Sequence, residues 1–380
     1  MEQNLLITMD YDEKGNLTAM TDSLGNETNL SYASNGKLTG ITDQIGVVQT
    51  LTYDDKGNLS AMTDGNGNSS TFTYDETGRC TAVTVKRTEA DGTVKEYTST
   101  YQYDSAGNIV AAISTTGAVT AYEYDIRNNC TAVVSPSRKR TEYTYDTNAE
   151  LTGISYHDGT TERFTYDKNG NLLTATGRLG TTVTMTYDKL NRLTAKTYAD
   201  GTKETYTYDA NGNVLTHTSV SGGITTYTYD VRNRNTSITD AYGNVTTFEY
   251  NERSLLTKMK DALGNEFHYT YDLNGNQTSV TYPDGSKESA EYDARGRIIS
   301  ETDRNGNKTT YGYDNADNLI LVTDAVGGTY HYTYNETYGL IAVTDAKNHT
   351  THYEYDAEGR VIKSTNALGN STLTTTKKEI

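Results

Sequence analysis

A tyrosine returns every 21 residues along almost the whole of this chain. Counted from Tyr208, the series runs down through Tyr187, Tyr166, Tyr145, Tyr124 and Tyr103. It runs up through Tyr229, Tyr250, Tyr271, Tyr292, Tyr313, Tyr334 and Tyr355. One step of 29 separates Tyr103 from Tyr74, after which Tyr53, Tyr32 and Tyr11 restore the period and complete 17 copies. The following residue is Asp in 14 of them, Asn at 251 and 335, and Ala at 33. Self-similarity at a fixed period of this length is the mark of a repeat architecture, in which each unit is completed by its neighbour. The 380 residues therefore read as one continuous array, 1–380, and not as the two or three domains that length alone suggests.

The stretch TYTYDANGNVLT, residues 205–216, shows what one unit is. Tyr206 and Tyr208 lie two apart and share a face on a strand. Asp209-Ala210-Asn211-Gly212 reads as a type I turn, with Asp accepting from the backbone ahead of it and Gly supplying the left-handed residue. Val214 opens the return strand of a β-hairpin. Where the first glycine is missing, Asn128, Asn191, Asn233 or Asp317 often stands there, residues that tolerate positive φ. A second turn follows 14 residues after the tyrosine, as in Asp22-Ser23-Leu24-Gly25, Asp64-Gly65-Asn66-Gly67 and Asp303-Arg304-Asn305-Gly306. Strands of about five to seven residues fit between the turns.

The expected fold is all-β, a repeat array of antiparallel hairpins with about 34 strands, two per repeat. So long a sheet cannot stay flat, and coiling into a spiral sheet or a partial barrel or shell is expected. The eight extra residues between Tyr74 and Tyr103 lengthen each arm of one hairpin by four, an even number that keeps every side chain on its face. An extended hairpin through 84–98, projecting past the rim, is expected. Ser135-Pro136-Ser137-Arg138 reads as an irregular loop, and 371–380 as a frayed half-repeat. Unpaired sheet edges at both ends offer a route to self-association.

Hydrophobic residues make up 34%, with no Trp and 4 Phe against 33 Tyr. That suits one sheet held by cross-strand pairs better than a deep two-layer core. A net charge of −17 excludes a nucleic-acid partner, which needs a basic face, and suits a secreted or cell-surface protein. No apolar run reaches the length of a membrane span, and MEQNLLITMDYD has no signal-peptide pattern. Cys80 and Cys130, two repeats apart, fall about 19 Å from each other at the spacing of paired strands. That is too far for a disulfide, and both read as buried thiols standing in for Leu.

The phrases Tyr-Asp-x-x-Gly-Asn-Leu (Tyr11 to Leu17, Tyr53 to Leu59) and Thr-Asp-x-x-Gly-Asn (Thr21 to Asn26, Thr63 to Asn68) resemble the YD-repeat, or Rhs, family over nearly the whole chain. That family includes bacterial polymorphic toxins, shell components of insecticidal toxin complexes, and teneurins. The resemblance implies a hollow, spiralling β-shell that often encloses a C-terminal toxin domain, a secreted or surface life, and carbohydrate binding. The family's self-cleavage motif, which resembles Asp-Pro-x-Gly-Leu, is absent here, since Pro136 follows Ser135 and Pro283 follows Tyr282. No self-cleavage is carried over, and any effector or toxin domain would be encoded elsewhere.

No catalytic, cofactor-binding or metal-binding residue is expected. The carboxylates recur at equivalent turn positions, without the asymmetry that splits the pKa values of a catalytic pair. Loops such as Asp272-Leu273-Asn274-Gly275-Asn276 lack the order of a calcium loop. The histidines read as solvated surface residues. The repeat tyrosines read as cross-strand packing, so a glycan or partner surface falls where the pattern breaks. Those places are Lys86, Arg87 and Lys95 on the long hairpin, and Arg138. The function expected is a non-enzymatic shell segment that encloses or displays a partner domain; the alternative is a cell-surface carbohydrate-binding adhesin.

Overall fold

The computed structural model describes residues 7–89 and 91–374. Most of the start of the chain used above, MEQNLL, and residues 375–380 of the expected half-repeat lie outside them. Among the described residues, strands run from Thr8–Tyr11 to Ser371–Leu373, 35 in one sheet. The ladders are antiparallel hairpin ladders between neighbours in chain order, as in Lys203–Tyr208 with Val214–Thr218 and Val361–Thr365 with Ser371–Leu373. The described residues form no helix. The hairpin array expected from the tyrosine period is the fold.

Turn chemistry sets the hairpins. Asp209 Oδ1 accepts from the backbone amides of Asn211 and Asn213 at 2.9 and 2.8 Å, and Asn213 Nδ2 donates to Oδ2 at 2.8 Å. The amide of Gly212 donates to the Asp209 carbonyl at 3.3 Å, with Gly212 at φ 94°. The Asn213 side chain and amide hold the Asp209 carboxyl below the usual carboxylate range. Asn128, Asn191, Asn233 and Asp317 take the left-handed conformation in place of glycine, and so do Ala149, Ser254 and Tyr338. Ser135–Arg138, expected to be irregular, is an ordinary second turn instead. The Arg138 amide bonds the Ser135 carbonyl at 2.8 Å, and Arg138 accepts φ 62°.

Hairpins closed by the turn after the tyrosine carry a β-bulge that the period does not announce. Thr207 pairs with Thr216 but Tyr208 pairs with Val214, leaving Leu215 unpaired. The same shift occurs at Tyr11, Tyr53, Tyr145 and Tyr334. An extra residue breaks the two-residue alternation. It brings the residues six and nine after the tyrosine, such as Leu151 and Ile154, onto the tyrosine face together. The tyrosine hydroxyl then reaches back to the preceding hairpin: Tyr53 to the Leu38 carbonyl at 2.8 Å, Tyr145 to Cys130 at 2.9 Å, Tyr334 to Leu319 at 3.0 Å.

Exposure alternates along the tyrosine strands, as in Ile224–Tyr229, and the repeat tyrosines after Tyr11 are half-buried. The only buried apolar residues among those described are Ala111, Ala132, Met185 and Ala195. Cys80 and Cys130, expected to be buried, are half-buried. Burial pushes the Cys130 thiol up.

The chain divides into two compact units. One takes Met1–Gln102, Ala112–Val119 and Tyr269–Ile380; the other takes Tyr103–Ala111 and Thr120–His268. In the second unit His217 departs from the solvated histidine expected. Its ring stacks on Tyr206 with centroids 4.9 Å apart, and Nε2 is buried without a hydrogen-bond partner. It occupies the bulge-shifted position nine after Tyr208, where an aliphatic residue usually faces the aromatic one.

Candidate functional site

In the first unit the strands Cys80–Thr88 and Val94–Tyr103 are longer than their counterparts elsewhere and pair from Ala82↔Thr100 out to Thr88↔Val94. Lys86 faces Glu96 across the hairpin at 3.4 Å, both well exposed, a pair of little energetic weight. Lys95 is exposed. Arg87 is 3% exposed and turns inward. Its guanidinium lies 4.3 Å from the centre of the Tyr97 ring, donates to the Tyr97 hydroxyl at 2.8 Å and bonds Glu89 at 3.1 Å. The Tyr97 hydroxyl closes the triangle on Glu89. Burial would raise the Glu89 carboxyl, but the Tyr97 hydroxyl and Arg87 outweigh it and hold it below the usual range.

The long hairpin is held from the side. The Thr88 amide donates to Glu336 Oε2 at 2.7 Å and its hydroxyl to Oε1. Burial alone would raise the Glu336 carboxyl; these bonds keep it low. Beside this junction lies a cavity of about 610 Å³, bordered by Arg87, Glu89, Asn335, His352, Tyr353 and Lys363 among others. Its volume falls in the range of small-ligand sites. Charged groups come there in pairs, Arg87 with Glu89 and Lys363 with Glu354 at 2.7 Å. What is offered is a mixture of donors and acceptors beside Tyr353 and Tyr355, suited to a neutral polar ligand.

The Thr88–Glu336 contact belongs to a longer seam inside the first unit, where second turns of early repeats meet first turns of late ones. Asn274 Nδ2 donates to Asp22 Oδ2 at 2.7 Å. Arg295 grips Asp43 with two bonds of 2.5 and 3.1 Å. The Tyr338 hydroxyl donates to Asp64 Oδ2 at 2.7 Å, and Asn66 Nδ2 to Asp314 at 2.9 Å. Thr115 Oγ1 donates to the Ala357 carbonyl at 2.8 Å. The turn aspartates thus act twice: each closes its own hairpin and also accepts from the facing row. Recurrence of Asp at the second turn foreshadows an acceptor row; nothing in the spacing identifies its partners.

Of the sequence-derived candidates, Lys86, Arg87 and Lys95 share the long hairpin. Arg138 lies in the second unit, exposed at its turn. Glu89, Tyr97, Glu336 and the residues at 352–363 escaped sequence reasoning; Glu89 and Tyr97 lie 2 and 10 residues from Arg87 on its own hairpin, whereas Glu336 and the residues at 352–363 come there through contacts like that of Thr88 with Glu336, 248 residues apart. Among the described residues no three His, Cys, Asp or Glu side chains are grouped to hold a metal ion. No helix of the described residues is long and apolar enough to cross a membrane.

The sequence matches the family model "Teneurin YD-shell" over residues 1–131 and 126–221. It matches "RHS Repeat" over 208–245, 235–266, 250–287, 292–329 and 334–371. No curated protein matches the chain. Similar solved structures include the crystal structure of TcdB2-TccC3-Cdc42, at a TM-score of 0.67 and 16% identity over 95% of this chain. That of TcdB2-TccC3 gives 0.64 and 14% over 95%, and that of TcdB2-TccC3 without its hypervariable C-terminal region 0.56 and 12% over 96%. The matches cover 24%, 26% and 23% of those chains, so this chain spans about a quarter of their length. At such identities the likeness is one of fold.

Proposed function

Because this chain belongs to the YD-repeat (Rhs) family, as a shell segment of that type, we propose that it is a non-enzymatic wall that encloses or displays a partner domain encoded elsewhere. The seam carries the reading. Rows of turns in the first unit are bonded to matching rows through Asp22, Asp43, Asp64 and Glu336, as a wall laid course upon course would require. The repeats' carboxylates are committed to turns and seam, which leaves little for chemistry. An effector-type partner is supported by the fold shared with TcdB2-TccC3, one of whose structures lacks a hypervariable C-terminal region. The acidic surface, with net charge −17, fits a secreted or cell-surface setting.

Limited proteolysis of the wall together with its partner domain tests this. The partner domain should resist protease with the native wall and become cleavable when Arg295→Ala opens the seam. Equal cleavage of both forms overturns the enclosure.

A second reading, a carbohydrate-binding adhesin, is favoured by the cavity of about 610 Å³ beside Arg87 and Tyr353. Glycan-array binding that is lost in Tyr353→Ala supports it; no binding, or binding indifferent to that change, removes it.

A further inference from the structure

Two residues before the repeat tyrosine, sixteen of the seventeen copies carry Tyr, Phe, Met or Leu; the exception is Ala290. Its cross-strand partner is Glu301. The position of Glu301, nine after the tyrosine, holds a carboxylate in no other copy. One ring of the packed face is therefore missing, and an acidic side chain stands where Val280 and Val322 close the neighbouring copies. The gap is a cavity of about 370 Å³ lined by Ala290, Glu301, Glu288, Tyr292, Gln277 and Ile298 among others. Glu288, Glu301 and Asp303 border it and, among the described residues, no lysine or arginine does. Glu288 Oε2 accepts from the Tyr282 hydroxyl and Glu301 Oε2 from the Tyr311 hydroxyl, each at 2.7 Å. A carboxylate has about four lone-pair sites, so both can accept more.

Elsewhere in the protein, cations rest on the repeat tyrosines themselves. Arg192, Arg234 and Arg297 lay guanidinium groups 4.7, 4.9 and 4.6 Å from the centres of Tyr208, Tyr250 and Tyr313, each paired with a carboxylate. Each arginine stands five after the preceding repeat tyrosine. Ahead of Tyr292 that position is Asn276. We propose that the notch at Ala290, between Glu288 and Glu301 and beside Tyr292, binds a flat guanidinium or amidinium cation supplied from outside the chain. Planar cations match carboxylate pairs in two-point bonds and are attracted to an aromatic face. The source is either a free small cation or an arginine of a polypeptide partner.

Saturation-transfer NMR with benzamidine, and separately with an arginine dipeptide amide, tests the site on the whole chain. Native protein should bind in a saturable way at about millimolar Kd, with benzyl alcohol as a silent control. Ala290→Tyr restores the residue common to the other copies and should weaken binding by about tenfold or more; Glu301→Gln should weaken it without refilling the notch. Saturation by benzamidine alone identifies a small-cation site, and tighter binding of the dipeptide identifies an arginine site. No saturable binding of either probe overturns the proposal. So does binding that Glu301→Gln leaves unchanged, a readout that stands even should Ala290→Tyr misfold.

Discussion

The hydroxyl of Tyr208 donates to the backbone carbonyl of Leu193, 15 residues back, at 2.6 Å. Leu193 lies just before the bulge of its hairpin, and the ladder to the next strand begins only at Ala195↔Thr205. The tyrosine thus satisfies a carbonyl that no neighbouring strand reaches, and buried carbonyls are costly to leave unpaired. Phe could supply the ring but not this bond. Tyr208→Phe should cost about 1 kcal/mol and speed amide exchange around Leu193. Tyr227→Phe, two before a repeat tyrosine, should stay within about 0.5 kcal/mol. Chemical denaturation with hydrogen exchange compares them; equal losses would refute a role for the hydroxyl.

Gly65 governs the seam by what it lacks. A Cβ there would sit 2.4 Å from the carbonyl oxygens of both Asn315 and Val47. Both obstacles are backbone, so neither can swing away as a side chain would. Gly65→Ala should part the bonds between Asn66 and Asp314 and between Tyr338 and Asp64, at a loss of about 1–3 kcal/mol. Exchange-protected amides near Asn315 should become labile. Unchanged protection there would show that the seam does not depend on this close approach.

The periodic tyrosines, the Asp-x-x-Gly turns and the strand lengths were legible because they are local, each set within one hairpin. The bulge left a quieter trace. Leu17 and Met20, Leu59 and Met62, Leu151 and Ile154 are three apart, a spacing that a regular strand would split between two faces. Phe72, Phe164 and Phe248 stand two before the repeat tyrosine and never at it, which hints that the hydroxyl matters at one place only. A break in the repeat pattern marks Arg87 for a glycan or partner surface, but says nothing of its burial. Its burial depends on Tyr97 and Glu89 acting together, and the seam depends on residues some 250 apart. Repeat copies so alike give no sequence cue to which turn meets which.

Ala149, at φ 65°, occupies a turn position that glycine fills in most copies. A left-handed Ala pays a steric cost of about 1–2 kcal/mol that Gly avoids, partly offset by the greater freedom glycine loses on folding. Ala149→Gly should therefore raise stability by about 0.5 kcal/mol. Gly212→Ala, at φ 94°, should lower it by about 1 kcal/mol. Thermal melts of the two variants with the native chain decide this, and a loss on Ala149→Gly would contradict the turn geometry.

Asp43 and Arg295, each about 10% exposed at the side chain, give the seam a defined response to acid. Burial by itself would raise the Asp43 carboxyl. The Arg295 guanidinium and the amides of Gly46 and Ile45 outweigh it and hold the carboxyl below its ordinary value. Asp22 and Asp64 are lowered as well, with Asn26 and Asn274 donating to the first and Tyr338 and Asn68 to the second. A carboxyl depressed in the folded state contributes stability above its unfolded pKa, about 3.9, and loses it as pH falls through the folded value. The seam should hold from neutrality to about pH 4 and loosen only below it. Asp43→Asn removes one titrating group and weakens the pair, so at pH 7 it should be less stable by about 1 kcal/mol or more. That deficit should shrink as acid neutralises Asp43 in the native chain. Unfolding midpoints of both proteins from pH 7 to pH 2 measure it. A deficit that closes near pH 6, or that persists unchanged at the acid end, would show that the Asp43 carboxylate is not what Arg295 holds.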